Sequence, residues 1–177
     1  MIEVEIRGRL TKEQFGELKK FFETHAEHVE SHDREMYLLK GYPGYDHFVA
    51  RDTDIRLRNT NGQCEIMLKR KVNDDYQSRK EISLALKDNT LDNAKEIVKA
   101  LGYTKGLRMN RKKHIYRYHD VEWSLVDAGK NLYYFEAEKE ASTDSEVTKL
   151  RDILTKEAEN LHLTVFTQEE TQTFIQL

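Results

Sequence analysis

Apolar and charged residues alternate over short stretches of the chain, and at a few places the period lengthens to that of a helix. The segment 2–8 alternates with period two and is predicted as a strand. Thr11, with Gln14 three residues on, reads as a capping box. Phe15, Leu18, Phe21 and Phe22 behind it fall on one helical face. A strand follows at 35–39, and Gly41-Tyr42-Pro43-Gly44 is the strongest turn signal. Strands at 55–58 and 65–71 flank Asn61-Gly62, a hairpin turn, and 78–84 gives another strand. Residues 91–101 form a helix with Ala94, Ile97, Val98 and Leu101 on one face and Gly102 after its end. Strands at 111–118, 121–126 and 132–138 precede a long amphipathic helix over about 142–160, and the tail holds a short strand around Val165. The sum is seven or eight strands and three helices, an antiparallel sheet closed or nearly so. The 177 residues are read as a single domain spanning 1–177.

Strand parity sorts the charges. Side chains at i, i+2 and i+4 share a face. Glu3, Glu5 and Arg7 therefore oppose Val4 and Ile6, and Arg56 and Arg58 oppose Ile55 and Leu57. Glu65, Lys69 and Lys71 oppose Ile66 and Leu68. Arg79 and Glu81 oppose Ile82 and Leu84, and Glu136 and Glu138 oppose Phe135 and Ala137. A solvated outer face would read the same way on any one strand. Two features favour an interior: carboxylates gather on the first and last strands with cations between, and the helices need the apolar faces. Helices outside a barrel put the charges inside it, where they require matching charge. Arg7, Arg56, Arg58, Lys69, Arg79, Arg111 and Lys113 are read as more cations than the carboxylates can settle, which calls for phosphates. Glu3, Glu5, Glu136 and Glu138 then require a hard divalent cation, Mg²⁺ or Mn²⁺.

Composition changes this little. Charged residues are 34% and hydrophobic ones 38%, with a net charge of −3. No apolar run is long enough to span a bilayer. The first residues lack the pattern of a signal peptide, and a single cysteine, Cys64, makes no disulfide, so a cytoplasmic setting is expected. The mildly acidic whole argues against a nucleic-acid binder. His25, His28, His32, His114 and His119 show no ligand spacing on one face, and His28 and His32 are placed in a polar connector. Trp123 alternates with Val121 and Leu125 and is expected in the core.

The ordered set resembles the CYTH, or triphosphate tunnel metalloenzyme, superfamily. Glu3-x-Glu5-x-Arg7 is similar to its opening Glu-x-Glu-x-Lys, with arginine in place of lysine. Arg56-x-Arg58, Lys69, Arg79-x-Glu81, Arg111-x-Lys113 and Glu136-x-Glu138 resemble its later pairs in order, as does Leu101-Gly102-Tyr103 after the middle helix. Met67 stands where a small polar residue is common. The resemblance implies an α+β fold, an eight-stranded antiparallel β-barrel forming a tunnel with helices packed outside. It implies triphosphate held by the basic residues, metal on the acidic ones with Asp127 among them, and a role for Tyr37, within Glu35-x-Tyr37. Tyr37 and Lys69 are the candidates for proton transfer. Alternation places Asp127 on the Trp123 face unless a bulge intervenes, leaving Glu122 as the alternative.

The activity expected is that of a metal-dependent phosphohydrolase on tripolyphosphate, thiamine triphosphate or a nucleoside triphosphate. Two alternatives stay open: a class IV adenylyl cyclase making cyclic AMP and pyrophosphate, and a non-catalytic polyphosphate binder. The partner expected is a triphosphate-containing small molecule, without membrane or nucleic acid, an RNA 5′-triphosphate end being a remote alternative. A homodimer is left open.

Overall fold

The computed structural model describes residues 2–40, 53–72, 75–88 and 90–174. Its order is β1 (Ile2–Leu10), α1 (Lys12–His25), β2 (Glu27–Lys40), β3 (Thr53–Thr60), β4 (Gln63–Val72) and β5 (Asp75–Ala85). Then come α2 (Asp92–Ala100), β6 (Lys105–Tyr118), β7 (Val121–Asp127), β8 (Tyr133–Ala141), α3 (Val147–Asn160) and α4 (Gln168–Phe174). The strands close as β1-β5-β4-β3-β2-β6-β7-β8, with β8 returning to β1, and every pairing is antiparallel. Closure removes the sheet edges and gives the chain an inside and an outside. The expected turn at Gly41 lies outside the described residues.

Local chemistry explains the elements. The Thr11 side chain accepts from the Gln14 N–H at 3.1 Å, and Gln14 Oε1 accepts from the Thr11 N–H at 2.9 Å, which completes the capping box. Asn61 and Gly62 take φ of 50° and 89°, the left-handed pair that a two-residue hairpin between β3 and β4 requires.

The helices cover most of the apolar strand faces, as the parity argument requires, but Ile82 and Leu84 of β5 stay exposed. Leu18 and Phe22 of α1 and Val147, Leu154 and Ala158 of α3 pack on Val4, Ile6, Trp123, Leu125, Phe135 and Ala137. Trp123 is fully buried there. On the other side, Ala94 and Val98 of α2 pack over Leu39, Leu57 and Cys64. Each fully buried large apolar side chain contributes roughly 1.5–3 kcal/mol, so these two patches fix which strand faces point outward. The charged faces are left to line the lumen.

Three elements differ from the pattern reading. β2 starts at Glu27, not at 35, so His28 and His32 lie in a strand rather than a connector. β6 starts at Lys105, six residues earlier than expected. The tail forms no ladder strand near Val165: it runs beside β1, where Phe166 N–H donates to Arg7 O at 2.7 Å, and then forms α4. β1 needs this companion because it pairs with β5 only at Glu3–Arg79 and Val4–Ser78, whereas β8 accompanies it from Ile2 to Leu10. Phe174 of α4 packs edge-on against Tyr134, with ring centroids 4.9 Å apart.

Candidate active site

The lumen is a cavity of about 240 Å³. Among the described residues its wall carries Glu3, Glu5, Glu30, Glu81, Glu122, Glu136 and Glu138 against Arg7, Arg34, Arg56, Arg58, Lys69, Arg111 and Lys113. The acidic side chains include Glu30, Glu81 and Glu122 beside the four carboxylates singled out by sequence. The strands sort these charges along the tunnel.

One end is acidic. Glu3 and Glu5 of β1 and Glu138 of β8 offer carboxylate oxygens that lie within 4.8 Å of one another. The register sets Glu5 opposite Glu138, and Glu138 opposite Glu122 of β7. Burial pushes the Glu5 carboxyl up and, with the like charges of Glu136 and Glu3, outweighs the pull of Arg7 and Lys69. Burial likewise drives Glu138 well above the carboxylate range; Glu5 and Glu3 add to this and Lys113 opposes it. These carboxylates lack enough positive charge around them. The donor set is all oxygen, which fits a hard divalent cation.

The middle is a lattice of ion pairs. Glu136 meets Lys113 at 2.6 Å and Arg7 at 3.2 Å. Burial alone would raise its carboxyl, but Lys113, Arg7 and Arg111 overcome it and hold the group far below its ordinary value. Burial works against the Lys113 ammonium in the same way, and Glu136 and Glu138 hold it charged. Lys69 reaches Glu3 at 3.2 Å and also pairs with Glu81. Arg58 pairs with Glu65 at 2.7 Å, and Arg56 with Asp54 at 3.0 Å. Arg79 stands opposite Glu3; burial and the nearby Arg56 and Arg7 lower its guanidinium against the pull of Asp54. The Arg111 guanidinium lies over the Tyr134 ring, 5.7 Å from its centroid.

Most of the residues singled out by sequence thus come together, with three exceptions. Glu136 sits between two cations and is not one of the clustered carboxylates. Tyr37 is on the outer wall: its O–H donates to Glu35 at 2.8 Å, and Lys95 of α2 lies over its ring, 4.6 Å from the centroid. Asp127 ends β7 outside the acidic group, where Oδ1 accepts from the Gly129 N–H at 2.8 Å. With Asp33 and Lys112 it borders a second cavity that shares Arg34 and Arg111 with the tunnel wall, while Glu122 lines the tunnel. Arg34, Glu30 and His32 were missed because 27–34 was not read as strand. Extending the parity of Met36 backwards would have found all three.

A family model of the CYTH domain matches residues 1–171, and the chain belongs to that family. No curated protein sequence matches the chain. Among solved structures, a protein from Pyrococcus horikoshii OT3 superposes with a TM-score of 0.80 at 20% identity, covering 98% of each chain. A candidate adenylate cyclase from Vibrio parahaemolyticus gives 0.71 at 16% identity, covering 93% of this chain and 90% of that one. A candidate adenylyl cyclase from Hippeastrum, reported to have a dominant triphosphatase activity, gives 0.57 at 14%, covering 88% and 86%. At these identities the likeness is one of fold. No helix among the described residues is long and apolar enough to cross a membrane.

Proposed function

We propose that the chain is a metal-dependent triphosphatase that hydrolyses inorganic tripolyphosphate or a small triphosphate ester inside its tunnel, with residues 1–177 acting as one domain. The observation that carries this reading is the opposition, within one cavity of about 240 Å³, of a three-carboxylate end and a basic wall. Drug-sized ligands occupy pockets of about 300–1,000 Å³, so this lumen suits a polyphosphate chain with any organic group at the mouth.

Arg56, Arg58, Arg79, Arg111 and Lys113 are the residues to hold phosphate oxygens. Arginine forks fix the chain bidentately, and Lys113 adds a point charge. Arg7, tied to Glu5 and Glu136, spans the border between the basic wall and the acidic end. Mg²⁺ or Mn²⁺ on Glu3, Glu5 and Glu138 would supply charge neutralisation for the phosphoryl group. Lys69, paired with Glu3 and Glu81, is the residue to donate a proton to the departing oxygen. In the reaction a water oxygen bonds to the terminal phosphorus, the bridging P–O bond breaks, and its electron pair leaves on the shorter phosphate, which takes the proton of Lys69. The water's proton passes to solvent, and solvent reprotonates Lys69.

The test is incubation with tripolyphosphate, thiamine triphosphate, ATP and GTP, with Mg²⁺ or Mn²⁺, and identification of products. Orthophosphate from any of them supports hydrolysis. Cyclic AMP with pyrophosphate from ATP identifies a cyclase, and tight binding without turnover under every metal identifies a binder.

A further inference from the structure

His32 has no part in the chemistry above, yet it is one of the most enclosed polar side chains in the barrel. It lies on β2 between Glu30 and Arg34, which both line the tunnel, and the register sets it opposite Lys113 of β6. Its side chain is 1% exposed. Nδ1 lies 3.0 Å from Glu30 Oε1, and Nε2 is buried with no hydrogen-bond partner.

An ionised carboxylate only accepts, so Glu30 fixes a proton on Nδ1. In the neutral ring Nε2 is then a bare acceptor with nothing to accept from, which is costly in a buried site. The groups that face the ring are Glu30 and Arg34 of β2 and Lys113 of β6. Burial keeps the ring neutral, Arg34 and Lys113 reinforce that, and Glu30 opposes it. Ser124 Oγ of β7 and the Tyr134 O–H of β8 are buried without hydrogen-bond partners as well. This side of the barrel therefore has several neutral polar atoms unmatched between strong cations. A phosphate oxygen seated on Arg34 and Lys113 would screen the charges that hold the ring neutral and give Nε2 an acceptor, provided Nε2 carries a proton.

We infer that His32 is a phosphate ligand charged by its own substrate: it takes one proton from solvent as a polyphosphate seats against Arg34 and Lys113. Nε2–H then donates to a phosphate oxygen while Nδ1–H stays on Glu30. No covalent bond to the ligand forms or breaks. The inference rests on the polyphosphate reading and deepens it, because it makes affinity fall as pH rises through the bound-state value of this ring.

The experiment is calorimetric titration of the full chain with inorganic tripolyphosphate, in EDTA near pH 7, in two buffers of different ionisation heat. The difference between buffers counts the protons taken up. Tripolyphosphate's own proton exchange is common to all variants, so the comparison isolates His32. In His32→Gln the amide N–H stands in for Nε2–H without titrating. It should bind within a few-fold of wild type while taking up about one proton fewer. His32→Ala should bind about tenfold or more weakly, the loss expected for a hydrogen bond to a charged group. Imidazole ¹⁵N spectra of the wild type provide a readout independent of variant folding, with His32 passing from the Nδ1–H tautomer to imidazolium on ligand addition. Equal proton counts in wild type and His32→Gln, or a ring that stays neutral in the complex, overturn the inference and leave the triphosphatase reading standing. Failure of tripolyphosphate to bind the wild type in EDTA overturns the inference, and failure with Mg²⁺ or Mn²⁺ present as well overturns the triphosphatase reading too.

Discussion

Glu136→Gln puts the electrostatic reading of the tunnel under the most direct strain. The carboxylate is 3% exposed and holds Lys113 at 2.6 Å and Arg7 at 3.2 Å. Removing one member of a buried ion pair costs about 3–5 kcal/mol, because the partner stays buried and charged. Here Arg7 keeps Glu5, and Lys113 keeps Glu138 at 3.8 Å, so the loss should be smaller. About 2–3 kcal/mol is expected, a fall in melting temperature of about 5–10 °C for a chain of this size. Thermal unfolding followed by circular dichroism measures it. Tripolyphosphate should then raise the melting temperature of the variant more than that of the wild type at equal ligand, since it supplies the anion that was removed. The pH dependence has a definite sign. Glu136 is held below its unfolded value, so its contribution is complete above about pH 4.5 and is lost as pH falls through the folded value. The gap between wild type and variant should be flat from about pH 5 to 8 and close in acid. A variant as stable as the wild type, or an equal gain from ligand in both, would refute the view that these cations are held by exchangeable anions.

Three further outcomes follow from the geometry. Glu3→Gln with Glu5→Gln should lower metal-dependent turnover by about 100-fold or more and abolish the thermal shift with Mn²⁺, while the far-ultraviolet spectrum is unchanged; undiminished turnover would remove the metal end from the site. Tyr37→Phe should leave turnover within about twofold and cost about 1 kcal/mol of stability for its hydrogen bond to Glu35; a large loss of turnover would return Tyr37 to the chemistry. Gly8→Ala should cost about 1–3 kcal/mol, because a Cβ there meets Thr164 O and the Phe135 ring. The displaced tail should become open to limited proteolysis, and an unchanged cleavage pattern would argue against its docking on β1.

The barrel was legible because its strands keep parity. Val4 and Ile6 against Glu3, Glu5 and Arg7, or Phe135 and Ala137 against Glu136 and Glu138, tell core from lumen as soon as the helices are assigned to the apolar side. Where parity fails, the reading failed too. In 27–34 Val29 is the only aliphatic residue, and the register shift between His28 and Glu30 breaks the alternation at the start of the strand. From Glu30 to Met36 parity holds, but its polar residues do not announce a strand, and that half of β2 is held by its ladder to β6. Around Tyr37 both faces are apolar, Met36 and Leu38 on one and Tyr37 and Leu39 on the other, so nothing local marks which side is inward. α4 has a single large apolar residue, Phe174, and owes its place to the Tyr134 ring. The role assigned to Asp127 came from resemblance alone, and the parity of Trp123 and Leu125 already opposed it.

The pairing of charges in the lumen gives the tunnel its physical character. Glu136 holds Lys113 and Arg7, Glu3 and Glu81 hold Lys69, Glu65 holds Arg58, and Asp54 holds Arg56. An anion that takes one of these cations displaces its carboxylate, and the carboxylate set free needs a cation in turn. Glu138 makes the point: it shares Lys113 with Glu136, and burial with its acidic neighbours already drives it toward its neutral form. A phosphate that draws Lys113 away leaves Glu138 more exposed to Glu3 and Glu5, and a divalent cation relieves that repulsion. Metal and polyphosphate should therefore favour each other's binding through the same lysine, and reciprocity is required thermodynamically. The sorting of charge along the barrel, more than any surplus of it, is what links the two ends of the site.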